Sequence, residues 1–292
     1  MNIPDLLQFN SIASSLDTVS GNLQRVQEQL ATGKRVAVAS DDPAAFAQAA
    51  NLNSQQNAIT NDISLGSQIQ ARLNTIDGAL ADAGNAITSA IASATQGADA
   101  SVNTTQMATI GTQVQAALQQ LVSSANLQYS GAYVFGGNQT LSAPYSTTGV
   151  YSGDTGGNSV KFSNGVAAQL SFDGKSIFGD TATGAIGAMV NLANALSAGN
   201  KTGVAAALPA LQSALQQVAS ARGALGSNLQ AVNNMITDSN SNSVAVTGAI
   251  DSLTGLNVAD AAATNSQLQL QQQALVSLAS DMAKMPLVNV LA

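Results

Sequence analysis

A strict heptad opens the chain. Phe9, Ile12, Leu16, Val19, Leu23, Val26 and Leu30 recur at alternating spacings of three and four residues. That is the narrow a/d seam of a coiled coil, not the wider apolar stripe of a helix on a globular surface. Such a seam cannot bury itself, so a second helix of matching pattern must cover it. The far end of the chain supplies one. Leu268, Leu275, Leu278, Met282 and Met285 hold the same type of register, with Gln271 in the remaining place. Each end of the chain is thus the simplest cover for the other.

What lies between is mostly helical. The first helix is predicted over about residues 5–31, with Gly33 at its left-handed end. A loop from Lys34 to Ser40 follows. Asp41 or Asp42 then caps a second helix, with Pro43 in its first turn, where a missing N–H is harmless. Ile69, Leu73, Ile76, Leu80, Ala83, Ile87 and Ala90 continue that helix after a phase slip near Gly66. Gly97 to Asn103 reads as a turn, and Met107, Ile110, Val114, Ala117 and Leu121 mark a third helix. Ile186, Val190, Ala193 and Leu196 give a shorter one. From Leu208 to Leu253 one heptad register persists, interrupted by Arg222 and weakened by serines over Asp238 to Ser243. A last helix is predicted from about Val258 to Lys284, stopped by Pro286.

The middle differs in kind. Between Tyr129 and Gly179 most of the aromatics gather among glycines. Ser159 to Ser163, Ala167 to Phe172 and Ser176 to Phe178 read as strands, with Asn164-Gly165 and Asp173-Gly174 as hairpin turns. The expected fold is mainly α: an elongated helical bundle and coiled coil formed by both chain ends, with a small antiparallel β insert. The expected domains are a terminal coiled coil (1–35 with 257–292), a helical body (36–130 with 200–256) and a β-rich insert with its following helix (131–199).

Composition narrows the chemistry. Of 292 residues only 9% are charged and 3% aromatic, against roughly 25% charged in an average domain. Small side chains favour close helix packing over a large pocket. A net charge of −7 opposes binding to nucleic acid. The absence of His and Cys removes histidine triads, thiol nucleophiles, disulfides and the usual zinc sites; it also suits a chain exported unfolded. No secretory signal pattern stands at the start, and no apolar run nears the ~20 residues of a membrane span.

Several side chains carry two readings. Arg222 at a core register position either pairs with an acid on a packed helix or snorkels to solvent. Lys34 and Arg35 either touch neighbouring subunits or form a solvated loop. Asp154, Asp173 and Asp180 lie in one glycine-rich region, but their spacing fits no calcium loop. A hydrolase would need two acids on rigid elements, and these sit in loops. A membrane-surface helix lacks its Trp and flanking basic residues. No catalytic residue, cofactor or metal site follows from the sequence.

The end segments resemble the flagellin-like axial proteins of the bacterial flagellum. The carrying stretches are Gln29 to Val36, containing Gly33, Lys34 and Arg35, and Ser40 to Ala45, containing Asp41, Asp42 and Pro43. Arg222 to Gly226 and Ala259-Asp260-Ala261 are similar to the family's C-terminal segments, as is the closing Met285 to Leu291. Gly-Lys-Arg followed by Asp-Asp-Pro, with the insert entry Ser130 to Gly137, looks like the members that join hook to filament. Asn257 and Val258 depart from the family, where an Arg and an acid stand. The resemblance implies a structural subunit, exported without a cleaved signal to the extracellular flagellum. It also implies assembly with copies of itself, a hook-proximal junction protein and flagellin, after handling by the flagellar export apparatus and an export chaperone. A short flagellin is the alternative within the same class.

Overall fold

A computed structural model describes residues 3–288, with side chains from Leu7 to Met282. The long helices are α1 (Ile3–Thr32), α2 (Pro43–Ala98), α3 (Thr104–Ala125), α5 (Gly184–Ser197), α6 (Lys201–Thr254) and α7 (Val258–Val288). Between α3 and α5 lie β1 (Gln128–Tyr129), β2 (Ala132–Tyr133), β3 (Ser159–Lys161), β4 (Ala167–Gln169) and the short α4 (Gly174–Phe178). The strands form two antiparallel pairs, β1 with β2 and β3 with β4. The fold is mainly α, with a small β insert.

By contacts the chain separates into two compact units, residues 59–241 and residues 1–58 with 242–292. In the central unit the predicted α2 stripe is the core: Ile69, Leu73, Ile76, Leu80, Ala83, Ile87 and Ala90 are all buried. Met107, Ile110, Val114 and Leu121 of α3, with Leu211, Val218, Leu225 and Val232 of α6, close around it. α2 and α6 run antiparallel there. At the phase slip Gly66 is packed tightly, since a Cβ on it would sit 2.7 Å from Met235 Cε and 2.8 Å from Ile236 Cγ1. A side chain there would have to displace Met235 and Ile236 of α6.

The turn after α2 is tied from both sides. Asn103 and Gln106 form a reciprocal capping box at the start of α3. Lys201 Nζ donates to the carbonyls of Asp99 and Ala100 at 2.9 Å each, which satisfies acceptors just past the end of α2.

The insert is packed on its aromatics. Phe135, Tyr145 and Phe178 are fully buried, with Phe135 and Phe178 edge to face at 5.0 Å. The Tyr145 hydroxyl donates to the Gly179 carbonyl at 2.9 Å. Asn164-Gly165 makes the expected hairpin between β3 and β4. Ser176 to Phe178, expected as a strand, is helical instead. Asp173 does not start a hairpin: its carboxylate accepts the Lys175 N–H and caps α4. An Asp-Gly pair serves either purpose, and burial of Ile177 and Phe178 on one side decides for the helix.

Two helices run further than expected. α6 passes unbroken through Asp238 to Ser243 for 54 residues, about 80 Å at 1.5 Å rise. Its hydroxyls there fold back on the helix, as in Ser241 Oγ to the Thr237 carbonyl at 3.0 Å. α7 continues through Pro286 to Val288, so the proline costs one backbone bond close to the helix end. The tail beyond 288 lies outside the described residues.

Candidate assembly interface

The terminal unit is built on one junction. α1 ends at Thr32, and Gly33 turns the chain at φ +68° while its N–H donates to the Gln29 carbonyl. The next residues run beside the segment leaving α6. Lys34 bridges Gly255, Arg35 N–H donates to the Thr254 carbonyl at 2.7 Å, and Leu256 N–H donates to the Gly33 carbonyl at 3.1 Å. The Arg35 guanidinium reaches the Leu253 carbonyl at 2.8 Å, and Gln29 Nε2 holds the Arg35 carbonyl at 2.9 Å. Val36 plugs the junction at 3% exposure. Arg35 is therefore spent largely within its own chain, whereas the Lys34 side chain faces solvent.

Both acids of the following loop hold backbone. Asp41 accepts the N–H groups of Ala37 and Val38 at 3.0 and 3.1 Å, which lowers its pKa below the usual carboxylate value. Asp42 accepts the Ala45 N–H and lies 3.6 Å from the Arg35 guanidinium, so it caps α2 with Pro43 as the first helical residue. Beyond the junction, Asn257 caps α7 through the N–H groups of Ala259 and Asp260, and its own amide donates to the Asp260 carboxylate at 2.7 Å. Asn257, singled out in the sequence as a departure from the resemblance, is a helix cap.

α1 and α7 pack against each other. On α1, Ile12, Leu23 and Val26 are buried, Leu16, Val19 and Leu30 are half-buried, and Phe9 stays 40% exposed. On α7 the covered row is Ala261, Asn265, Leu268, Gln272, Leu275, Ala279 and Met282. Its spacings alternate four and three, but every second place after Ala261 is Asn, Gln or Ala. Gln272 Nε2 donates to Ser20 Oγ of α1 at 3.3 Å, while Asn265 Oδ1 is buried with no hydrogen-bond partner among the described residues. Leu278 lies off this row, 49% exposed, as do Val276 at 52% and Leu270 at 66%. The pair is thus half covered, with apolar side chains left over on α7. The Met285 side chain lies outside the described residues.

The remaining motif positions lie in the central unit. Arg222 makes a two-pronged pair with Asp77, Nε to Oδ1 at 2.9 Å and Nη2 to Oδ2 at 3.0 Å. Gly226 faces open space. The acids of the insert are committed to local backbone: Asp154 to Asn138 and Gly156, Asp180 to Ala182 and Thr183. Among the described residues no acid, His or Cys cluster could hold a metal ion, and no helix is long and apolar enough to cross a membrane.

Sequence reasoning did not anticipate Thr254 to Leu256 or Gln272. The former carried a signal, a glycine at each side of the junction followed by the cap pattern Asn257-x-x-Asp260. Gln272 carried none, because a search for apolar heptads passes over glutamine.

Comparison with known proteins accords with this arrangement. Residues 5–140 match the bacterial flagellin N-terminal helical region. Among solved structures, a flagellar hook-associated protein from Vibrio parahaemolyticus matches at TM-score 0.68 and 19% identity, over 74% of this chain and all of that one. The flagellar junction protein FlgL from Legionella pneumophila matches at TM-score 0.58 and 15% identity, over 71% of this chain and all of its own. FlgL from Xanthomonas campestris matches at TM-score 0.60 and 16% identity, over 68% and 99%. At these identities the likeness is one of fold. No curated protein matches the chain.

Proposed function

We propose that this chain is a structural subunit of the bacterial flagellar axis, joining hook to filament through its terminal helices. The observation that carries the reading is the half-covered α1–α7 pair. α1 and α7 diverge from one junction and pack together, yet Phe9, Val276 and Leu278 remain between 40 and 52% exposed. In a stack of copies such side chains are buried by neighbours, and apolar burial is the main driving force of association. The fold shared with hook-associated and junction proteins supports the same position, and the acids spent on helix caps fit a role without catalysis.

On this reading the partners are further copies of the chain, a hook-proximal junction protein and flagellin. The export apparatus and an export chaperone would deliver it to the extracellular flagellum. The match to flagellin's own N-terminal region favours a second reading, a short flagellin that forms the filament itself.

Electron microscopy of a strain lacking the protein, with analysis of its medium, separates the two. A junction subunit predicts hooks without filaments and flagellin shed into the medium. A filament subunit predicts bare hooks and no shed flagellin. Normal filaments would overturn both.

A further inference from the structure

The chain holds one Asn-Gly pair, Asn164-Gly165, and it forms the exposed turn between β3 and β4. Gly165 N–H donates to the Phe162 carbonyl and Phe162 N–H to the Val166 carbonyl, each at 2.9 Å, with Gly165 at φ +85°. This is a three-residue hairpin loop with its glycine in the left-handed position. Asn164 Oδ1 accepts the Val166 N–H at 3.1 Å. That bond folds the side chain back alongside the Gly165 peptide, and the Gly165 nitrogen becomes free to attack when its hydrogen bond to the Phe162 carbonyl opens. The Val166 bond also sets a donor on the oxygen that gains charge if that nitrogen adds to Cγ.

We propose that Asn164 is a site of spontaneous modification. Hydroxide removes the Gly165 amide proton, and the nitrogen attacks Asn164 Cγ. The N–Cγ bond forms, the Cγ–Nδ2 bond breaks, and ammonia leaves with a proton from water. Water then opens the resulting five-membered imide at either carbonyl, leaving aspartate or isoaspartate.

The described asparagines that precede serine are protected by comparison. Asn10, Asn53, Asn240, Asn242 and Asn265 all lie within helices, where the backbone is fixed. Asn158 precedes Ser159 at the start of β3, where a side chain crowds the attacking nitrogen.

The change falls at a tie point of the insert, because the neighbouring Ser163 N–H is held by Asp62 of α2 at 3.1 Å. An aspartate brings a second negative charge to that carboxylate. An isoaspartate also lengthens the main chain inside the turn and disturbs the pairing of Phe162 with Val166.

The test is to incubate the full chain at mildly alkaline pH and map its peptides by mass spectrometry, using fragmentation that distinguishes isoaspartate. Conversion of amide to acid is expected first at residue 164, several-fold faster than at any other asparagine and faster as pH rises. Gly165→Ala should slow it several-fold, and Asn164→Asp should co-elute with the aspartate product. Amide exchange over residues 160–168 should rise in the aged protein. Conversion at Asn158 or a helical asparagine before Asn164, or an unchanged rate in Gly165→Ala, would overturn the proposal.

Discussion

Arg222 occupies a core register position and escapes its cost by reaching sideways to Asp77, 145 residues away in sequence. Both side chains are about two-fifths exposed, so solvent screens the pair despite its good geometry. Arg222→Ala or Asp77→Ala is expected to lower stability by about 1 kcal/mol or less in urea unfolding, the double variant losing no more than either single one. The polar interruption was legible in the sequence; its partner was not, because heptad spacing says nothing about which opposite helix holds an acid. Asp180 gives a pH effect. Hydrogen bonding from Lys175, from the Ala182 N–H and from the Thr183 hydroxyl holds its pKa at about 2, below the ordinary 3.8. A depressed carboxylate contributes stability that is complete above the ordinary value and lost as pH falls through the folded one. Urea midpoints should therefore drop between pH 4 and 2, and Asp180→Asn should flatten that slope while lowering the midpoint at pH 6.

Among the elements, two glycines of the long helices make opposite predictions. Gly66→Ala drives a methyl into Met235 and Ile236 and should destabilise by about 1–3 kcal/mol. Gly226→Ala meets nothing within 4 Å and should stabilise the free chain by about 0.5–1 kcal/mol through helix propensity. If Gly226 faces a neighbour in the assembled stack, that same variant should assemble less well, as sedimentation would show. The helices of the central unit were legible because Ile, Leu, Val, Met and Ala fill the inward places at an unbroken helical spacing. The covered row of α7 was not, since Asn265, Gln272 and Ala279 break the apolar pattern and Leu278 supplies a false one. The insert was legible as aromatic-rich, but Asp173-Gly174 reads equally as turn or cap until burial of Phe178 chooses.

At the scale of the whole molecule, the central unit is one continuous stretch and the terminal unit is two distant ones. Residues 59–241 alone should give a cooperative melt by circular dichroism; a non-cooperative trace would show that the core needs the ends. In the full free chain, amides of residues 12–30 should exchange faster than those of residues 208–232. Equal protection would mean that the α1–α7 pair is complete without neighbours.

The Gly33–Gly255 junction also fixes an order of events. It joins points roughly 220 positions apart, and closing so long a loop is entropically slow. Once the central unit has folded with α2 and α6 side by side, only about 40 residues of free chain separate the two halves of the junction. The closure penalty then falls by about 1.5 kcal/mol. α1 must therefore wait for α7, and whatever meets the chain during that interval meets both helices unpaired.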